Sequence, residues 1–187
     1  DQYYSDSNTI QRVEISGDGN FFFMGNGSGK FRFFEQDYIS PSISILTSST
    51  SDGIYSVGDS ISISVAFSES VDVITTGGIP TLELETGSSN NVATYASGSG
   101  SSTLVFSYIV QSGDTASDLD YASTSALLLN GGTIKDSAEN DASLTLPSVG
   151  GSSSIAGSSA LVIDTTAPSV PSSLTTTATT TNNTTPT

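Results

Sequence analysis

The stretch Ser60-Ile-Ser-Ile-Ser-Val-Ala-Phe67 decides the fold class of this chain, because its large apolar residues occupy every second position. Successive side chains of a β-strand point to opposite faces, so this spacing predicts a strand with one buried face. The same alternation recurs between turns rich in Gly, Asn, Asp and Ser, at residues 43–47, 82–85, 104–109 and 161–163. No segment carries the sustained i, i+3, i+4, i+7 apolar spacing of an amphipathic helix.

These short strands predict an all-β chain, with an antiparallel β-sandwich of Greek-key connectivity over residues 39–167, preceded by a short β-hairpin segment. Residues 1–38 hold six of the eight Phe residues, and we expect them to end a preceding domain or to form a fibre or assembly segment. Residues 168–187 are almost entirely Thr, Ser, Pro and Asn, which predicts a linker. Because the chain begins at Asp1 without a leader pattern, we expect it to be an internal piece of a longer polypeptide.

Composition excludes several classes of function. The 187 residues include no His and no Cys, which rules out Ser-His-Asp and Cys-His nucleophile systems and ordinary zinc, haem or iron–sulfur sites. A net charge of −15 repels nucleic-acid phosphates and anionic membrane surfaces. No apolar run approaches the ~20 residues that span a membrane. The carboxylates Glu83 and Glu85 fit the exposed face of a strand, so we expect no enzyme. The negative charge and the lack of a long apolar run predict no nucleic-acid partner and no membrane insertion of this segment.

The aromatic residues near the N-terminus need a covering surface. Turn-forming residues at Asp18–Asn20 and Asn26–Gly29 separate three predicted strands, Thr9–Ile15, Phe21–Met24 and Lys30–Phe34. Three short strands cannot bury this many Phe side chains by themselves. We therefore expect the Phe side chains to pack on the sandwich, on a preceding domain or on other copies of the chain.

Two acidic loops are the candidate metal sites. Residues 113–120 place three carboxylates at a strand exit, and residues 136–141 place three more beside one amide. Ca²⁺ takes about six to eight oxygen ligands from carboxylates, amides, backbone carbonyls and water, which such loops supply. The alternative is that these residues are solvated and serve turns and caps. The candidate ligands, including one carboxylate at the end of the last strand, are Asp114, Asp118, Asp120, Asp136, Asn140, Asp141 and Asp164.

Asp164 and Glu69 extend this hypothesis to the ends of the domain. Asp164 follows the last predicted strand and precedes Thr165-Thr-Ala-Pro168, the expected linker. Facing Asp52, Asp59 or a following repeat, it would share a cation between domains and stiffen the joint. Alternatively, it caps the strand end and the proline alone restricts the linker. Glu69, at the end of its strand, is expected near the same acidic end.

Two further residues have structural interpretations. Tyr121 follows Asp120 in a position typical of a tyrosine corner, whose hydroxyl bonds to nearby backbone and pins a Greek-key crossing. Lys135 is the only cation after residue 38 and borders an acidic loop. That setting favours a solvated ion pair over an intramolecular Lys–Asn or Lys–Asp cross-link.

Four separated strings carry a resemblance to a known family. In chain order they are Ser49–Val71, Asp118–Leu127, Leu129–Asp136 and Ile163–Pro168. With them, residues from about 41 to 168 resemble the Ig-like repeat domains of large bacterial surface adhesins, which are tandem β-sandwiches of stalk-like proteins. A weaker resemblance, over residues from about 9 to 25, is to a motif of phage tail fibres and is carried by Arg12–Asn20.

The adhesin resemblance implies a structural or adhesive module of a long extracellular, cell-surface protein. It also implies that residues 168–187 are the start of a following repeat. Such a module is a rigid spacer that mediates or presents attachment. Its expected partners are neighbouring Ig-like repeats, copies of the chain, and a cell-surface receptor or glycan. The resemblance also implies Ca²⁺ near domain junctions. The tail-fibre resemblance implies the alternative, a phage virion protein (tail fibre or capsid decoration) that carries an Ig-like domain. A third alternative, a carbohydrate-binding accessory module, would show exposed aromatic side chains as a flat platform.

Overall fold

The computed structural model describes residues 21–25, 31–35 and 37–169. Strands make up 44% of the structure and helix 3%, so the predicted all-β fold class is confirmed. The Greek-key connectivity and the domain bounds at 38/39 and 167/168 stay predictions. The predicted strand Thr9–Ile15, both N-terminal turns and the chain from residue 170 onward lie outside the described residues.

The N-terminal segment contains an antiparallel hairpin of two five-residue strands, β1 (Phe21–Gly25) and β2 (Phe31–Glu35). The register pairs Phe22 with Phe34 and Phe23 with Phe33. These bounds confirm the predicted second and third strands of this segment to within one residue.

Residues 37–169 form ten strands and one short helix. One of these strands, Ser60–Ile74, is longer than nine residues. The elements are β3 (Ile43–Ser48), β4 (Gly53–Tyr55), β5 (Ser60–Ile74), β6 (Thr81–Leu84), β7 (Asn91–Ser97), β8 (Ser101–Ile109), β9 (Thr115–Ala116), β10 (Leu127–Leu128), β11 (Thr133–Lys135), α1 (Ile155–Ser158) and β12 (Leu161–Asp164).

The larger sheet has the order β10-β6-β7-β8-β5-β11, and β3 also pairs with β5. Every pairing in this sheet is antiparallel. The first part of β5 lies between β3 and β8, and its last residues, Asp72–Ile74, pair with β11. A register shift between Ala66 and Val71 separates the two parts, which lets one strand serve both regions of a curled sheet.

The smaller sheet has the order β4-β12-β9 and contains one parallel pairing. β12 runs antiparallel to β9 but parallel to β4, with Val162 opposite Ile54. The expected antiparallel pairing is confirmed for the other strand pairs of residues 37–169, and this pair is the exception. The reason is that the chain passes from β3 to β4 through residues 49–52 without reversing direction, so that β4 lies beside the last strand with the same polarity.

The core lies between the two sheets and follows the predicted alternation along β5. In β3 the predicted alternation of Ile43, Ile45 and Thr47 is wrong: the fully buried residue is Leu46, because the pairing register shifts between Ile43 and Ile45. Along β5, Ile61, Ile63 and Val65 are completely buried, and the Ser and Ala residues between them are half-buried. Leu161 and Ile163 of β12 belong to the same buried cluster. Burying side chains of this size contributes roughly 1.5–3 kcal/mol each, so this cluster is the main source of stability in the described chain.

Two glycine turns cross where the larger sheet curls back on itself. β10 and β11 stand at its opposite edges, yet only residues 129–132 connect them. There Asn130 and Gly131 take φ values of 53° and 92°, as in the turn that Asn-Gly pairs favour. A Cβ placed on Gly78 would lie 1.8 Å from the Asn130 carbonyl oxygen, and one on Gly77 would lie 2.1 Å from that of Gly131. Only glycine permits this backbone-to-backbone contact.

The one helix of residues 37–169 is a four-residue element, α1. Across the parts of the chain that the structure describes, no helix combines the length and the apolar character that crossing a membrane requires.

Candidate functional site

Asp114, a predicted metal ligand, is only 3% exposed and holds three segments together. Its Oδ1 accepts a hydrogen bond from Asn91 Nδ2 at 2.7 Å, and its Oδ2 accepts from the Gln111 amide at 2.6 Å and from the Tyr108 hydroxyl. Burial, together with the bond to Asp114, raises the pKa of Tyr108. The carboxylate thus joins β7, β8 and the loop after β8 through protein donors.

Asp120 is also buried, at 5% exposure, and anchors the short helix. Its Oδ1 accepts hydrogen bonds from the amides of Tyr121 at 2.9 Å and Ile155 at 3.2 Å, and its Oδ2 accepts from the Gly150 amide at 2.8 Å. Because Ile155 is the first residue of α1, these bonds fix the helix and the loop before it. Asp118 in the same acidic loop is exposed and accepts from the Leu161 amide at 3.4 Å.

Asp136, 3% exposed, organises the second acidic loop. Its Oδ1 accepts from the amides of Ala138 and Asn140, and its Oδ2 from Asn140 Nδ2, all at 2.8 Å. Burial alone would raise the pKa of Asp136, but these bonds and the Lys135 charge outweigh it and lower the pKa. Asp141 is instead 82% exposed and lies 3.2 Å from Lys135 Nζ, as a solvated ion pair.

Tyr121 has a structural role, as the sequence suggested, but with a different partner. Its side chain is completely buried, and its hydroxyl donates to the Pro147 carbonyl oxygen at 2.8 Å, 26 residues along the chain. A tyrosine corner would bond to nearby backbone instead. Burial and the Asp120 charge raise the pKa of Tyr121 to about 12, so the hydroxyl keeps its proton and remains a donor at physiological pH.

One group of three carboxylates converges in the described residues. Side-chain oxygens of Asp37, Glu69 and Asp136 all lie within 4.8 Å of one another, and the structure brings no other such group together in residues 37–169. Burial, followed by the charges of Asp37 and Asp136, raises the pKa of Glu69. Asp136 was a candidate ligand from the sequence. Glu69 was expected near Asp164, but it lies with Asp37 and Asp136 instead, so that expectation is wrong. Asp37 was missed because no local pattern links it to residues that follow some 30 and 100 positions later.

The incoming segment (Asp37–Ser42) is held by side chains and backbone of the second acidic loop. Asn140 Nδ2, which bonds to Asp136, also donates to the Asp37 carbonyl oxygen at 3.1 Å. The Ser143 amide donates to the Pro41 carbonyl oxygen at 2.7 Å. The path of the chain into the sandwich is therefore fixed by bonds to residues about 100 positions away.

The outgoing segment (Asp164–Thr166) is fixed in a similar way at the first acidic loop. Thr165 Oγ1 donates to the Asp114 carbonyl oxygen at 2.8 Å and accepts from the Gly113 amide at 3.1 Å. Asp164 Oδ1 accepts from the Thr166 amide at 2.9 Å, which closes a local turn. This turn is the cap that the sequence left open for Asp164. The proline does not restrict the linker alone, however, because Thr165 is also bonded to the first acidic loop.

The two carboxylates proposed to face Asp164 are also engaged by backbone groups. Asp52 Oδ1 accepts a hydrogen bond from the Ala160 amide at 2.8 Å, beside the start of β12. Asp59 Oδ2 accepts from the Ser56 amide at 2.8 Å, within the turn that leads into β5. These bonds assign both carboxylates to chain turns next to the smaller sheet.

The incoming and outgoing segments lie at opposite ends of β5. The Ser68 amide donates to the Ser42 carbonyl oxygen at 2.8 Å, which places the incoming segment beside residue 68 of this strand. The outgoing segment bonds to the loop after β8, and β8 ends at Ile109, opposite Ser60 at the start of β5. Eight residues of strand at 3.3 Å each separate Ser60 from Ser68, a distance of about 26 Å.

Comparison of the chain with models of known protein families, with curated proteins and with solved structures finds no match in any of the three. The family resemblance of the sequence therefore stays a prediction.

Proposed function

We propose that residues 39–167 act as a rigid, Ig-like spacer module of a long extracellular surface protein, which mediates or presents attachment to a cell-surface receptor or glycan. The observation that carries this proposal is the position of the incoming and outgoing segments, at opposite ends of one sandwich and each hydrogen-bonded to it. A module built in this way lengthens a chain by roughly its own long dimension. Termini at the same end would instead fold the chain back.

The charge of the segment supports the same role. From Tyr38 to the last residue the chain has thirteen acidic residues and one basic residue, a net charge of −12. Like-charged modules repel one another at distances up to the Debye length, about 10 Å at moderate salt. Neighbouring modules therefore resist collapsing side by side, and a stalk made of them stays extended.

Calcium enters this proposal at one place, the group formed by Asp37, Glu69 and Asp136. A divalent cation there would neutralise carboxylates that repel one another and would tie the incoming segment to the sandwich. Saturation ~100-fold above Kd adds about 2.7 kcal/mol of stability. We expect calcium, compared with EDTA, to raise the melting temperature of the wild type and of the control Glu83→Gln, but not of Glu69→Gln. An unchanged wild-type melting temperature would remove calcium from the proposed function.

Distance measurement between spin labels tests the spacer role directly, because the chain has no Cys and accepts labels wherever Cys is introduced. The label at Tyr38→Cys lies in the incoming segment, and the label at Ala167→Cys directly follows the outgoing segment. We expect a single narrow distribution centred at roughly 25–40 Å, the strand length plus the label arms. Asn140→Ala, which removes the bond to the incoming segment, should broaden it, and Ser137→Ala in the same loop should not. A broad wild-type distribution would contradict the proposal.

A second candidate, a phage virion protein such as a tail fibre or capsid decoration, is favoured by the β1–β2 hairpin. Its register puts Phe positions 21, 23, 31 and 33 on one face of the ribbon and positions 22 and 34 on the other. A two-stranded ribbon with apolar positions on both faces needs a cover on each. In a fibre, copies of the same chain cover one of these two faces. A trimer in light scattering would favour this function, and a monomer would favour the spacer.

A further inference from the structure

The strands nearest the two ends of the sandwich are aligned so that a pull on those ends slides them along each other. β4 and β12 are parallel, with Gly53 opposite Leu161 and Tyr55 opposite Ile163. The chain that leads back to the incoming segment joins β4 at Gly53, and the outgoing segment continues from the other end of β12. Tension between the two segments therefore acts on opposite ends of this pair, along the strand axis.

The pairing of β3 with β5 is also loaded along the strand axis by this tension. β3 starts next to the incoming segment, where Ile43 lies opposite Phe67, and ends where Ser48 lies opposite Ile63. A pull on the incoming segment drags β3 along its own axis past β5. The other side of β3 is also bonded, because the Leu46 amide donates to the Ser153 carbonyl oxygen at 2.9 Å.

Strand pairs differ greatly in how they respond to the two directions of force. When the strands are pulled from opposite ends, the backbone hydrogen bonds between them share the load and must give way together. When they are pulled from the same end, the bonds break one after another. Since a single backbone hydrogen bond contributes little net stability, sharing the load determines the barrier to forced unfolding, which is an unfolding-rate property.

We infer that the β4–β12 and β3–β5 pairs form a mechanical clamp that lets this module carry tension between its incoming and outgoing segments. The inference rests on the proposed spacer function and adds a load-bearing activity to it. Side chains reinforce the backbone clamp: Leu46, Leu161 and Ile163 are buried in the core, so sliding either strand drags them through a close-packed interior. At the start of β12, the Gly53 amide bonds to the Ala160 carbonyl oxygen at 3.0 Å.

Single-molecule pulling in two geometries tests the clamp on the full chain. Handles at Tyr38→Cys and Ala167→Cys load the clamp strands in shear. Handles at Ser51→Cys and Ala160→Cys, both at the starting ends of β4 and β12, peel the same pair apart. At one loading rate we expect the shear geometry to unfold at a force higher by roughly twofold or more. Chemical denaturation of both double variants verifies that their equilibrium stabilities match.

A second variant separates the clamp from general stability. Gly53→Pro removes the amide that bonds to the Ala160 carbonyl oxygen, and we expect it to lower the unfolding force in the shear geometry more than in the peeling geometry. Equal forces in the two geometries would overturn the inference. This outcome is distinct from failure of the spacer proposal: a narrow label distance with equal forces leaves a stiff spacer without a clamp, whereas a broad distance contradicts the spacer at any force.

Discussion

Replacing Gly78 by Ala tests whether the crossing of the two glycine turns holds the curled sheet together. An ideal Cβ at this position lies 1.8 Å from the Asn130 carbonyl oxygen, whereas real Cβ contacts essentially never fall below 3.0 Å. The two turns must therefore move apart by at least 1.2 Å, the difference between these distances. Both colliding groups belong to the main chain, so no side-chain rotation relieves the contact.

The cost follows from what must move. The turn at Gly78 is closed by its amide bond to the Thr75 carbonyl oxygen at 3.1 Å, and the turn at Gly132 by its bond to Leu129 at 2.8 Å. Overpacking that forces backbone shifts costs about 1–3 kcal/mol, and rigid turns place this substitution at the upper end. At roughly 2–4 °C per kcal/mol for a chain of this size, we expect Gly78→Ala to lower the melting temperature by about 6–12 °C.

Two matched glycine variants isolate the clash from other effects of adding a methyl group. At Gly53 the nearest atoms to a new Cβ are those of Tyr55 at 3.9 Å, so Gly53→Ala should change stability by less than about 0.5 kcal/mol. At Gly58 φ is +92° with open space around it, so Gly58→Ala carries only the left-handed backbone cost of about 1–2 kcal/mol. Thermal unfolding followed by circular dichroism gives all three values. If Gly78→Ala melts within two or so degrees of Gly53→Ala, the crossing has no such role.

Three further predictions concern single side chains. Tyr121→Phe removes the hydrogen bond to the carbonyl oxygen of the half-buried Pro147 and should cost about 0.5–1.5 kcal/mol in urea unfolding; an unchanged midpoint would contradict the role assigned to the hydroxyl. Because the folded pKa of Glu69 is raised, its ionised form opposes folding, so Glu69→Gln should stabilise the chain at pH 7 and have less effect as the pH falls below the ordinary value of 4.5. A loss of stability at pH 7 would contradict this. The folded pKa of Asp136 is lowered, so its contribution is present above 3.8 and is lost as the pH falls through the folded pKa; Asp136→Asn should therefore destabilise at pH 7, by a margin that shrinks in acid unfolding experiments.

The strands that the sequence predicted are those whose inward side chains are large. β5 and β8 bury Ile, Val, Leu, Phe and Tyr at every second position, and local alternation identifies such strands. β7 escaped notice because its one fully buried residue is Ala93, a side chain too small to stand out in a pattern. β4, β9 and β10 have three, two and two residues. They exist because neighbouring strands pair with them, which is tertiary information that no local window contains.

The acidic loops show why residue type alone does not separate a metal ligand from a structural carboxylate. Asp114, Asp120 and Asp136 each combine burial with three hydrogen bonds from N–H or O–H donors of the protein. In a Gly- and Ser-rich loop after a strand, the same carboxylate oxygens can bind Ca²⁺ or accept hydrogen bonds from backbone amides. A structural carboxylate differs from a metal ligand in the hydrogen-bond donors that the fold brings close to it. Two of these donors, Gly150 for Asp120 and Asn91 for Asp114, are distant in sequence, so no local pattern reveals them.

These three carboxylates link loops to segments that are distant in sequence, as disulfides do in other small β-domains. The chain has no Cys, and its loops need anchors because short connections between strands cost backbone entropy of about 1–2 kcal/mol per ordered residue. Each buried Asp ties a loop to a segment that would otherwise be free: Asp114 to β7, Asp120 to α1, and Asp136, through Asn140, to the incoming segment. Because a hydrogen bond to a charged group contributes about 1.5–3 kcal/mol, replacing any of the three by Asn should loosen its own loop. The stiffness of both ends of the sandwich therefore depends on these buried, hydrogen-bonded carboxylates.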